Sequence, residues 1–143
     1  MRRTGRHKAT SARMWGATGL LAMSLLTGLD PALAQATFPF DLEMLLDARP
    51  LPGSRRVPIL EIGADGRAQV DLWCRSGVAE VTVKGSAIKF TLGAMRESGC
   101  TAERAKRDED LAAALVQVTG WKFADDIVTF TGPTELRFRL STH

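Results

Sequence analysis

The stretch Val78-Ala79-Glu80-Val81-Thr82-Val83-Lys84-Gly85-Ser86-Ala87-Ile88-Lys89-Phe90-Thr91-Leu92 decides the fold. Apolar side chains recur at every second position, at 81 and 83 and again at 88, 90 and 92, with Thr and Lys between them. A period of two is that of a strand with one face in a core and one in water. Gly85-Ser86 interrupts the pattern with residues suited to a turn. The stretch therefore predicts two strands joined by a tight connection.

Working outward, the same reading extends in both directions. Upstream, Val70 to Cys74 and Ile59 to Ile62 predict strands on either side of a turn at Asp65-Gly66. Residues 48–58 read as a loop, with Pro50, Pro52, Gly53 and Pro58 around Arg55-Arg56. Phe40, Leu42, Met44 and Leu46 alternate and predict a half-buried strand. Downstream, Gly93 to Cys100 is irregular. Ala102 to Val118 then predicts a helix, capped by Thr101, with Leu111, Leu115 and Val118 on one stripe and Gly120 as its left-handed end. The acids Asp108, Glu109 and Asp110 cluster in its first half, where acids favour a helix start. Trp121 to Phe123 precedes a turn at Asp125-Asp126, a strand from Ile127 to Phe130, and a last strand from Leu136 to Leu140. About seven strands and one helix make an α+β domain, mainly antiparallel β. Leu72, Val81, Val83, Ile88, Phe90, Leu111, Leu115, Ile127, Phe138 and Leu140 are the expected core.

The N-terminus follows other rules. Basic residues in 1–13, an apolar run from Met14 to Leu29 and Ala32-Leu33-Ala34 form a cleavable signal peptide over 1–34, with cleavage between Ala34 and Gln35. The run falls short of the roughly 20 residues that span a bilayer. Arg2-Arg3 lacks the apolar residues that follow a twin-arginine pair, so general secretion is expected. Five of the 19 basic and one of the 16 acidic residues lie in the leader, leaving 14 against 15 in residues 35–143, a net charge of −1. A nucleic-acid partner is excluded on that balance, because no surplus of cations remains to neutralise phosphates. The expected product is a soluble, periplasmic or secreted monomer of one domain, 35–143, with no membrane span and no lipid anchor.

In an oxidising compartment Cys74 and Cys100, each near a glycine, read as a disulfide, with two buried free thiols as the alternative. Two cysteines without a histidine partner cannot complete a zinc site.

The order of these pieces resembles the META domain, the family of the heat-shock protein HslJ and its relatives in bacterial envelopes. The resemblance runs from about Phe38 to Leu140. It is carried by Pro58 to Ile62, the turn at Asp65-Gly66, Leu72-Trp73-Cys74-Arg75-Ser76-Gly77, the segment from Gly93 to Cys100, Glu109 with Leu111 to Leu115, and the ending Trp121, Asp125-Asp126, Ile127 to Phe130 and Leu136 to Phe138. Arg75 stands where the family has Asn, so no role of that Asn is carried over. The resemblance implies a curved sheet or partly open small barrel covered by one helix from the C-terminal half. It also implies an envelope location, stress tolerance, and no established enzymatic activity.

Candidate chemistry is sparse. His143 is the one histidine after the leader and sits at the terminus, a poor place to hold a catalytic base. Asp125-Asp126 reads as a solvated turn rather than a glycosidase carboxylate pair. The acidic run at 108–110 lacks the alternating oxygens and central glycine of a calcium loop. Trp73 and Trp121 are candidate ligand contacts and also natural core residues. Arg75, with Arg55-Arg56, is a candidate contact for an anionic partner. The expectation is a non-catalytic protein, without catalytic, metal or cofactor residues, that binds an envelope protein or a small ligand. A small periplasmic hydrolase with an unrecognised site is the alternative.

Overall fold

Eight strands follow one another around a closed ring, each antiparallel to the next, with β8 returning to β1. The structure is a computed structural model that describes residues 36–141; the expected signal peptide, the expected cleavage site and His143 lie outside them. The strands are β1 (Glu43–Leu46), β2 (Ile59–Ile62), β3 (Arg67–Asp71), β4 (Arg75–Lys84), β5 (Ala87–Glu97), β6 (Gly120–Ala124), β7 (Ile127–Thr131) and β8 (Leu136–Leu140). The helix α1 (Ala102–Val116) is inserted between β5 and β6. The expected α+β, mainly antiparallel architecture is present, and the ring is closed rather than partly open.

The quoted hairpin is the longest ladder, with Val81 opposite Phe90 and Val83 opposite Ile88. Its register shifts between Gly77 and Ala79, which pair with Met95 and Leu92. The bulge carries β5 through Gly93 to Glu97, a segment whose composition predicted irregular chain. Closure is made by Met44 opposite Leu140 and Leu46 opposite Phe138. Asp47 reinforces it by accepting from Arg139 at 2.9 Å. The ring is thinnest between β5 and β6, which share one ladder pair, Ala87 with Gly120.

Inward positions fill the ring with side chains. Phe130 meets Phe90 and Phe138 edge-to-face, with centroids 5.3 and 5.6 Å apart. Met44, Leu60, Ile62, Val70 and Val128 complete the interior. Of the expected core, Leu72, Val81, Ile88, Phe90, Leu111, Leu115 and Phe138 are buried, while Val83 and Leu140 are partly buried against it. Ile127 is a correction. It lies opposite Arg139 on the outer face, whereas Val128 lies opposite Phe138 on the inner one.

Thr101 caps α1 through its Oγ1, which accepts the Arg104 N–H at 3.3 Å. Leu111 and Leu115 carry its buried stripe. The helix ends two residues earlier than expected, on Gln117 in right-handed conformation, not on a left-handed Gly120. Gly120 instead opens β6, where a Cβ would meet the Thr131 hydroxyl at 2.7 Å. Asp125 and Asp126 form the turn before β7 with φ of 52° and 58°, a pair of left-handed residues suited to a two-residue hairpin.

A carboxylate clamp and the surfaces around it

The connection between β3 and β4 is tight: the Leu72 N–H donates to the Arg75 carbonyl at 2.7 Å. That turn leaves three successive main-chain donors without ladder partners. Asp108, from the middle of α1, accepts all of them. Its Oδ1 takes the Trp73 N–H at 2.9 Å, and its Oδ2 takes those of Cys74 at 3.1 Å and Arg75 at 2.8 Å. The side chain is fully buried. Burying a carboxylate is costly unless hydrogen bonds replace its water, and three charge-assisted bonds do so here. The expected strand end is corrected by the same residue. Asp108 serves as a buried acceptor rather than only as an acid near the helix start, and β3 ends at Asp71 instead of running to Cys74, because Asp108 takes the N–H groups that a ladder would use.

The same turn is tied a second way. Cys74 and Cys100 are joined with S–S 1.98 Å and Cα–Cα 5.3 Å, linking it to the residue just before the Thr101 cap. Gly99 adopts φ 61° beside this bond, a conformation glycine tolerates. Gly77, by contrast, is required by crowding, since a Cβ there would lie 2.6 Å from the Ala94 carbonyl. Asp108 Oδ2 also lies 3.3 Å from the Cys74 sulfur. This is a contact rather than a hydrogen bond, because a disulfide sulfur carries no proton. Cys74, Cys100 and Asp108 have the spacing of a three-ligand metal group. Their chemistry does not fit a metal, with both sulfurs bonded to each other and the carboxylate directed at main-chain donors.

Arg75 projects outward into a pair of acids, 3.2 Å from Glu97 and 3.6 Å from Glu109. It thus braces β5 against α1, and Arg55 and Arg56 stand exposed on their loop. On the helix surface, Asp110 hydrogen-bonds Lys106 and raises its ammonium pKa above the ordinary value.

The two tryptophans are mainly core. Trp73 is buried and borders an open cleft of about 410 Å3 with Leu111, Ala114 and Leu136; its Nε1 has no partner among the described residues. Trp121 packs edge-to-face on Phe38 at 4.9 Å and donates from Nε1 to the Gly85 carbonyl at 2.8 Å. It borders a smaller recess of about 240 Å3. The structure therefore brings Trp73, Cys74, Arg75 and Cys100 to one node, and places Trp121 at the tip of the β4–β5 hairpin. The residue that organises the node, Asp108, was missed from sequence. Its signal was present: 108 lies on the stripe of 111 and 115, three and seven residues before them.

A closed antiparallel ring with a filled interior, one external helix and a buried carboxylate clamp defines a small α+β barrel domain. The chain belongs to the META domain family, whose pattern it matches over residues 35–142. No curated protein and no solved structure matched it.

Proposed function

We propose that this is an exported, non-catalytic META-domain protein, periplasmic or secreted, that binds an envelope protein or a small ligand and supports stress tolerance. The observation that carries the reading is the use made of Asp108. The carboxylate most removed from water is here spent on three main-chain N–H groups. It holds a turn to a helix and presents no free oxygen to a substrate. The disulfide between Cys74 and Cys100 suits an oxidising compartment and supports the export reading. Among the described residues no helix is long and apolar enough to cross a membrane.

An affinity pull-down from an envelope extract, with the processed protein as bait, tests the binding reading. Reproducible capture of a partner or co-purification of a ligand is the expected result. Turnover of an ester, peptide or glycoside by the purified protein, lost on substituting a surface carboxylate but not on denaturant-matched controls, would replace it with the hydrolase alternative.

A further inference from the structure

We propose that the open groove beside the β5–β6 seam binds a long-chain carboxylate, a single apolar chain with one negative head; this deepens the ligand-binding reading above and rests on it. The groove has a volume of about 680 Å3, within the range typical of small-molecule sites. Ala87, Val116 and Pro133 line it with exposed apolar surface. Val116 is 51 % exposed although it is a large apolar residue at the end of a helix.

Two of the polar side chains around this surface are already used. Gln117 donates its side-chain amide to the Ala113 carbonyl at 3.1 Å, and the Thr119 hydroxyl donates to the Thr131 carbonyl at 3.4 Å. At the seam itself the Ile88 N–H donates to Thr119 at 3.1 Å and the Trp121 N–H to Ser86 at 2.9 Å. A peptide adding as a strand needs free main-chain groups, and at the seam the N–H groups of Ile88 and Trp121 are taken. An acyl chain needs none.

What remains unmatched is positive charge. Lys84 lies opposite Ala87 and Lys89 opposite Thr82, so both lysines stand on the outer face of the hairpin as diagonal neighbours. Neither forms an ion pair among the described residues, and no acid lines the groove. Two uncompensated ammonium groups beside an apolar trough complement a negatively charged amphiphile. A carboxylate suits the site better than a phosphate dianion. The C-terminal end of α1, its negative pole, forms one wall and has no basic residue in its last turn.

Titration of the purified exported protein with dodecanoate, below its micellar concentration, tests the assignment through tryptophan emission and melting temperature. Trp121 lies outside the groove lining and is bonded to the Gly85 carbonyl next to Lys84, so its emission is a secondary readout beside the melting temperature. Saturable binding with a raised melting temperature is expected. Butyrate, with the head alone, and dodecanol, with the chain alone, should each bind at least roughly fivefold more weakly. The K84Q/K89Q double variant should lose roughly five- to tenfold in affinity for dodecanoate while its ligand-free melting temperature stays unchanged. Val116→Asp gives an independent check on the chain contact and should weaken dodecanoate as well. Absence of saturable binding, equal binding of dodecanol, or undiminished affinity in K84Q/K89Q would overturn the proposal, as would tighter binding of a lysophosphatidate. Capture of an envelope protein without dodecanoate binding would remove the groove assignment and leave the binding reading standing; failure of both assays would remove both.

Discussion

Asp108 holds the main-chain N–H of Trp73 at 2.9 Å across 35 residues of sequence, and its other oxygen holds the next two donors of the same turn. Asp108→Asn keeps the shape but sets an amide N–H2 against N–H groups that want an acceptor. We expect a loss of roughly 2–4 kcal/mol in chemical denaturation, because buried donors are left unsatisfied. A loss under about half a kcal/mol, as at ordinary surface sites, would mean that the turn is held by its other ties.

The bond between Cys74 and Cys100 closes a loop with a sequence separation of 26. Chain-entropy reasoning assigns such a loop about 3.5 kcal/mol. Protein taken from the host in non-reducing denaturant should show no reactive thiol, and reduction should lower its melting temperature. Two titratable thiols would identify the pair as buried hydrophobes.

Leu115 turns the helix stripe into the interior and is 1 % exposed. Leu115→Ala should destabilise by roughly 2–5 kcal/mol, the range for truncating a buried leucine. Urea denaturation reads the difference directly.

At the β4–β5 bulge, Gly77→Ala would force a methyl group to within 2.6 Å of the Ala94 carbonyl and of the Met95 sulfur. The methionine can rotate away, but the main chain cannot. A cost of roughly 1–3 kcal/mol is expected, with faster amide exchange confined to the adjoining ends of β4 and β5.

Cleavage after Ala34 should leave Gln35 as the first residue of the exported chain. Intact-mass measurement of protein recovered from the host distinguishes this from a retained leader, whose mass would include residues 1–34.

Much of the ring was legible because its strands declare themselves locally. Val81, Val83, Ile88 and Phe90 alternate without interruption, and Leu136 to Leu140 does the same, so period alone found both hairpin arms and the last strand. The Thr101 cap was equally local. Closure was not, because pairing Met44 with Leu140 depends on the summed twist of every strand between them. Ile127 was assigned inward because it is the most apolar residue at the start of its strand. Its orientation is fixed across the ladder by Arg139, which no short-range pattern records. Asp108 was the chief omission. An acid in the first half of a helix reads as favouring the helix start, and only the three donors brought to it by the β3–β4 turn give it a reason to be inside. Trp73, Arg75 and Trp121 stand out in the sequence as candidate ligand or partner contacts; in the fold Arg75 faces Glu97 and Glu109 and both indoles serve chiefly the core.

The pairing of β1 with β8 also governs when this molecule can become itself. A chain threaded N-terminus first delivers Glu43–Leu46 early and Leu136–Leu140 last. Until that final segment emerges, the growing sheet has two open edges and no closed ring exists. Completion of the ring is thereby timed to the end of the chain's emergence rather than its beginning.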